Sequence, residues 1–297
     1  MSQQQLDKLL KIFERQPPLG TVSIAEERRN LDEGGARFKV PADVTLTPVD
    51  VDGIRGEWLA APGARPDRAV LYLHGGGYAI GSITSHRYLM QNVSRHSGAR
   101  TLGIEYRLAP EHPFPAAVDD ATKAYRWLLA QGFAPGRIAI AGDSAGGGLT
   151  LATLVNLRDL GVPLPAGGVL ISPWADLTGD AGAVTSRAAS DPMVKPDGLF
   201  RLAGEYLKGT DVKHPLASPV FADLTGLPPL LIHVGGREIL YDDAITVANN
   251  ARKVGVKADL VDEPALFHVW HAFAPMLDEG QRAVEQIGGW LQGRFQA

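Results

Sequence analysis

The chain has 297 residues, of which 45% are hydrophobic and 21% charged, with a formal net charge of −4. That length supplies core enough for one or two domains, and the slightly acidic balance argues against nucleic acid or an anionic membrane as partner, since both call for a basic face. No cysteine is present, which removes disulfides, thiolate catalysis and cysteine-based zinc sites together.

The first residues, MSQQQLDKLLKIFERQ, are polar and then amphipathic. They lack the apolar core of a secretory signal. No apolar run approaches the roughly 20 residues that span a bilayer, so a cytoplasmic protein without stable membrane insertion is expected. Leu6, Leu9, Leu10 and Phe13 recur at helical spacing, and Pro17–Pro18 stop the run. A second helix is expected over about 22–36, ending at Gly34–Gly35. Both precede the first strand and are expected to form a flap, the first helix packing on the protein itself.

Strand signals follow. DVTLTPVDVDGIRGEWLAAP alternates and turns at Asp52–Gly53, which predicts an antiparallel hairpin. From residue 69 short apolar strands and helices alternate: AVLYLH, a helix over 84–97, RTLGIEY, a helix over 116–131, RIAIAG, a helix over 145–160, GGVLIS, and later PLLIHV and KADLVD, each with a helix after it. This rhythm predicts βα units, a parallel sheet and helices on both faces. Residues 174–228 break it with Pro, Gly and Asp and one helical candidate, KPDGLFRLAGEYLKG. An excursion of that length reads as a functional insertion such as a lid.

Two short motifs carry chemistry. Gly142-Asp143-Ser144-Ala145-Gly146 stands between a strand and a helix, which is the G-x-S-x-G elbow that lifts a nucleophilic serine above a sheet edge. His74-Gly75-Gly76-Gly77 follows a strand directly. It matches the glycine loop that supplies oxyanion donors, here the amides of Gly76 and Gly77 with that of Ala145. A phosphate-binding loop would need a lysine or a G-x-x-x-x-G-K-[ST] spacing, and neither is present. His74 reads as a brace for the loop and Asp143 as a structural hydrogen-bonder.

Both motifs belong to α/β-hydrolases, whose triads run serine, acid, histidine along the chain. ALFHVWHAF offers His268 and His271. The loop residue His268 is placed to reach back to the serine, whereas His271 is expected within a helical turn; with no nearby acid to complete a set, a metal site is not expected. The acid must lie after PPLLIHV, in VGGREILYDDA. Glu238 falls on the loop. Asp242 and Asp243 fall where helical spacing has begun and suit the helix dipole. Glu238 is therefore the expected acid and Asp242 the fallback, with Asp243 a surface residue.

At this point the sequence resembles the bacterial hormone-sensitive-lipase-like esterases (family IV) of the α/β-hydrolase fold. The residues that carry the resemblance are HGGGY (74–78), YRLAPEHPFPAAVDDA (106–121), GDSAGG (142–147), DPM (191–193), ASPVFADLTGLPP (217–229) and FHVW (267–270). The resemblance implies an α/β fold with a mostly parallel eight-stranded sheet. It implies a helical cap built from residues 1–40 and an insertion at about 176–215, on a catalytic domain of 41–297. It implies hydrolysis of small-molecule esters with short to medium acyl chains, without metal or cofactor. Ser144, Glu238 and His268 carry over as the triad and Gly76, Gly77 and Ala145 as the oxyanion hole. Tyr78, Met193 and Trp270 are expected at the substrate. Two positions depart from the family pattern: Glu238 opens what is usually D-x-L-x-D, and His268-Val269-Trp270 replaces the usual H-G-F, so that Trp270 is expected to narrow the site. Arg107 and Glu111 read as an ordering ion pair or network in the loop after a strand, and Asp191 and Met193 as a link from insertion to core. Family analogy adds a homodimer through an edge strand near 257–261. An amidase or lactonase with the same triad is the alternative activity, and a non-catalytic binding homologue the alternative class.

Overall fold

The structure, a computed structural model, describes residues 3–15 and 21–296; the Pro17–Pro18 stop lies outside them. Eight strands form one sheet in the order β1-β2-β4-β3-β5-β6-β7-β8. β1 (Thr45–Val51) and β2 (Ile54–Ala60) make the predicted hairpin, with Val51 opposite Ile54 and the turn at Asp52–Gly53. β2 runs against both its neighbours. β3 (Arg65–Leu73), β4 (Ala99–Ile104), β5 (Ile138–Asp143), β6 (Gly168–Ile171), β7 (Leu230–Gly235) and β8 (Ala258–Glu263) are mutually parallel.

Alternate strand residues feed two cores, as the period of two requires. Leu71, Leu73, Ile138, Ile140, Leu170, Leu230 and Ile232 face one layer, with α4 (Ala116–Ala130), α5 (Ala145–Asp159) and α8 (Tyr241–Lys253). Val70, Tyr72, Ala139, Ala141, Val169, Ile171 and Leu231 face the other, with α3 (Ile83–Ser97) and α9 (Asp278–Gln296). The near-continuous apolar runs in these strands follow from burial on both faces.

The N-terminal helices cover the carboxyl ends of the strands. Leu6, Leu9 and Phe13 of α1 (Gln3–Phe13) pack with Leu266, Phe267, Trp270 and Leu277 around the histidine segment. In α2 (Ile24–Ala36), Arg28 donates to the carbonyls of Ala79 (2.8 Å) and Ala109 (2.9 Å) and forks onto Glu111 at 2.9 and 2.7 Å. Of the expected Arg107–Glu111 pair or network, the direct pair is corrected: each residue is ion-paired, but with another partner. Arg107 instead grips Asp120 of α4 at 2.8–3.0 Å. One turn into α4, Asp120 sits where a guanidinium leaving β4 reaches it, whereas Glu111 lies beyond the bend and meets Arg28 of α2.

The insertion leaves the core after β6 and carries α6 (Gly182–Ser186) and α7 (Pro196–Leu207). Tyr206 of α7 lies flat on Tyr78, ring centroids 3.9 Å apart.

Candidate active site

The elbow is sterically tight. Ser144 has φ +54° and ψ −123°, a conformation that an L-residue adopts only where the surroundings impose it. Its amide donates to Ile171 O (2.8 Å) and its carbonyl accepts from Trp174 N (2.9 Å). A Cβ on Gly146 would lie 1.9 Å from Leu73 O, and one on Gly142 2.3 Å from Gly146 O. Helix α5 can start directly beneath the serine only because neither residue has a side chain. Backbone atoms cannot yield as side chains do, so Gly146→Ala is expected to destabilise the protein by about 3 kcal/mol. Denaturant unfolding checks this, and an unchanged midpoint would refute the close approach.

Beside the serine, the glycine loop is held rigid. Gly76 (φ +120°) and Gly77 (φ +58°) occupy the left half of backbone space, and Gly76 O accepts from Ala79 N and Ile80 N. Among the described residues the amides of Gly76 and Gly77 donate to no carbonyl. The amide of Ala145 is the first of α5, where helices leave N–H groups without an internal partner. Asp143 braces the loop: its Oδ1 accepts from Tyr72 Oη (2.7 Å) and Gly75 N (3.2 Å), and its Oδ2 lies 3.3 Å from His86 Nε2. Burial favours a protonated Asp143, but the His86 charge and hydrogen bond outweigh it and hold the carboxyl below its ordinary range. His74 stacks on Tyr106 at 4.3 Å with Nδ1 2.8 Å from Gly75 O. Burial pushes its pKa down to about 3, so it is neutral and serves the loop as a strut.

The acid and the histidine meet across the sheet. Glu238, fully buried, sits on the loop between β7 and α8. Its Oε1 accepts from Ser172 Oγ (2.7 Å) and Gly235 N (2.6 Å), and its Oε2 lies 2.8 Å from His268 Nδ1. Burial alone would depress His268; the Glu238 hydrogen bond and charge reverse that and raise its pKa above the ordinary imidazole value. The loop after β8 folds back to Ser172, whose Oγ accepts from Val269 N at 3.1 Å. Ser172 follows β6, and Ile171 accepts the Ser144 amide. Because β5, β6, β7 and β8 are consecutive neighbours, their carboxyl ends bring Ser144, Ser172, Glu238 and the His268 loop to one rim.

The chain as a whole is similar to known proteins. The alpha/beta hydrolase fold family model matches residues 70–272. The chain is 50% identical over 252 residues to an acetyl-hydrolase of Streptomyces hygroscopicus, covering 85% of this chain and 83% of that one. It is 44% identical, with a TM-score of 0.96 and 99% of both chains covered, to a crystal structure of an esterase from the bacterial hormone-sensitive lipase family. A structure of EstE5 soaked with p-nitrophenyl butyrate aligns at 49% identity and a TM-score of 0.95, again over 99% of both chains. The chain belongs to the hormone-sensitive-lipase-like esterases. It is a serine carboxylic ester hydrolase.

In this esterase the other two acids of VGGREILYDDA also have partners. Asp242 Oδ2 accepts from Ala183 N of α6 at 2.7 Å. Asp243, expected at the surface, is buried, and its Oδ2 accepts from Ala175 N and Asp176 N at 2.9 Å each. That correction has a plain cause: the residue faces the core side of α8, beneath the point where the insertion departs. Burial drives its carboxyl up to about 8.

Val269 stands at φ +50°, where the family pattern has glycine. For a β-branched residue this is strained backbone, costing on the order of 1–3 kcal/mol, and the Ser172 bond to its amide helps to hold it. His271 lies in the short turn Trp270–Phe273, its Nε2 2.9 Å from His233 Nδ1 of β7. Burial lowers both imidazoles, His233 to about 3. Two neutral rings joined in this way tie the turn beyond His268 to the sheet. Trp270 packs against both of them and against α1.

Ser172, His86 and Arg28 escaped sequence reasoning. A serine ending an apolar strand, a histidine inside an amphipathic helix and an arginine on a polar one carry no local mark. Their roles arise from strand order and from where the helices pack.

No helix among the described residues is long and apolar enough to cross a membrane.

Proposed function

We propose that this esterase cleaves short- to medium-chain acyl esters through Ser144, His268 and Glu238 by an acyl-enzyme route. The observation that carries this reading is the 2.8 Å contact between His268 Nδ1 and Glu238 Oε2, buried at the rim where the elbow presents Ser144. With Nδ1–H committed to Glu238, the free Nε2 is the basic nitrogen. It takes the Ser144 proton as Oγ attacks the ester carbonyl. The oxyanion that forms is met by the amides of Gly76, Gly77 and Ala145, donors of a kind worth about 3–4 kcal/mol each. The imidazolium, stabilised by Glu238, then protonates the departing alkoxide. Water, deprotonated by the same nitrogen, releases the acid and restores Ser144.

The names of the relatives, an acetyl-hydrolase and an enzyme soaked with a butyrate ester, support short acyl groups. Met193 is half-buried and packs against both the main core and the α1 cluster, which suits a residue lining the acyl path. Tyr78 and Trp270, each 1% exposed, shape that path from behind. Among the described residues, 3–15, 21–40 and 176–215 form the cap over it. A homodimer across the outer edge of β8, the last strand of the sheet, belongs to the same proposal.

A fluorophosphonate probe tests the reading directly. Intact-mass and peptide mapping are expected to find one adduct, on Ser144. In parallel, kcat/KM over a p-nitrophenyl ester series from acetate to decanoate is expected to peak at or below about eight carbons. Labelling elsewhere, or no labelling of active enzyme, would remove Ser144 from the mechanism.

A further inference from the structure

We propose that Asp191 of the cap insertion, with Arg187 beside it, is a positioning residue for the acid of the triad: its buried carboxylate grips the loop that carries Glu238 and so sets the His268 base from the cap side. This rests on the triad reading above.

Asp191 is fully buried although it belongs to an insertion. Its two oxygens face different ways. Oδ1 closes a local turn, accepting from Met193 N and Val194 N at 2.9 Å each. Oδ2 leaves the cap altogether and accepts from Ile239 N at 3.0 Å, the residue next to Glu238 and 48 positions away in sequence. The neighbours extend the grip. The Arg187 guanidinium donates to Gly236 O and lies over the Tyr241 ring at 4.0 Å. Ser190 Oγ donates to Arg237 O at 3.2 Å. Three backbone groups at 236, 237 and 239 are thus held from the cap side. Between them Glu238 turns the other way, toward Ser172, Gly235 and His268. A buried carboxylate that accepts three amide hydrogens makes strong, charge-assisted bonds, and a backbone pinned on both sides of a catalytic acid leaves that acid little freedom.

The charge acts in the same direction. The groups facing His268 are Glu238 at Nδ1, the carboxylates of Asp191 and Asp143, which also raise its pKa, and the neutral His271 beyond it. A residue that merely folds the cap would affect neither the pKa of the base nor kcat at fixed KM.

Asp191→Asn separates the two roles. Its carbonyl oxygen can keep the local turn, while its NH2 group then faces the Ile239 N–H, donor against donor, and the charge is gone. The expected result with a short p-nitrophenyl ester is a kcat lower by about 10- to 100-fold, the scale for a misplaced catalytic group or a lost outer support. KM should stay within about threefold. The acid limb of the pH profile of kcat/KM, which reports His268 losing its proton, should move to lower pH because one negative neighbour is removed. Asp242→Ala is the control, because the bond it cuts, to Ala183 N, involves neither the 236–239 backbone nor His268, and its acid limb should coincide with that of wild type. An unshifted limb or an unchanged kcat in folded Asp191→Asn overturns the proposal. If that variant does not fold, Arg187→Gln replaces it; it releases Gly236 with Asp191 in place and must lower kcat at constant KM, and an unchanged kcat overturns the proposal equally. Glu238→Gln is measured alongside. Retained turnover there brings down the triad reading and this proposal together, whereas lost turnover there with a wild-type profile in Asp191→Asn brings down this proposal alone.

Discussion

Ser144→Ala is expected to lower kcat toward p-nitrophenyl butyrate by on the order of 10^6-fold, the loss found when a hydrolase nucleophile is removed. The change deletes one oxygen and leaves the elbow's backbone unaltered. Ser144 N still donates to Ile171 O and Ser144 O still accepts from Trp174 N, so the fold should hold. Alanine at φ +54° is under the same strain as serine, and the unfolding midpoint should therefore stay close to wild type. What remains is catalysis by substrate binding and by the amides of Gly76, Gly77 and Ala145 acting on water. Steady-state kinetics together with a circular dichroism melt check both halves. Turnover above about one per cent of wild type in a folded variant would mean that another group is the nucleophile.

Glu238→Gln is expected to lower kcat by about 10^4-fold, the scale known for neutralising a triad acid. The reason lies in the hydrogen-bond inventory. Glu238 Oε1 receives two donors, from Ser172 and Gly235, so the glutamine carbonyl must take that place. Its NH2 group then points at His268 Nδ1 and donates to it. The imidazole proton is forced onto Nε2, and the nitrogen that should receive the serine proton is already occupied. The loss of the negative neighbour also lowers the pKa of His268, which Glu238 holds above its ordinary value. The acid limb of whatever activity remains should move to lower pH. Asp242→Ala loses a bond to Ala183 N of α6 and has no hydrogen bond to the histidine, so its kcat should stay within about threefold. Parallel pH–rate profiles of the two variants decide the matter. A deep loss in Asp242→Ala with a mild one in Glu238→Gln would transfer the acid to the helix.

The different phases of those two acids were legible in eleven residues. VGGREILYDDA passes from strand to loop to helix, and the apolar spacing places Glu238 in the loop and Asp242 in the first turn. The structure agrees on the phase, with α8 beginning at Tyr241. Phase alone could not show which side of α8 the next residue faces. The sequence therefore places Asp243 at the surface, although its carboxyl oxygen accepts from the amides of Ala175 and Asp176. The exchange of partners around Arg107 has the same origin. Nearness in YRLAPE points to Glu111, but the chain bends after β4, so that Asp120 of α4 faces Arg107 and Arg28 of α2 faces Glu111. The consequence is visible in Glu111, where the Arg28 hydrogen bond holds the carboxyl at about 2.

The sequence by itself determined what depends on short spans. Apolar period decides strand or helix. Glycines at 142 and 146 report that a helix must start against a strand, and the glycine loop reports an approach too close for a Cβ. These are steric and hydrophobic conditions that act over a few residues, so they can be read in place. Only the tertiary structure decided who meets whom. Ser172 joins Glu238 to Val269 because β6 lies between β5 and β7, and Asp191 reaches Ile239 because the insertion returns over the end of β7. A hydrogen bond between residues 48, 66 or 97 positions apart depends on crossover order and register. Those are set by the packing of the whole chain and leave no local trace.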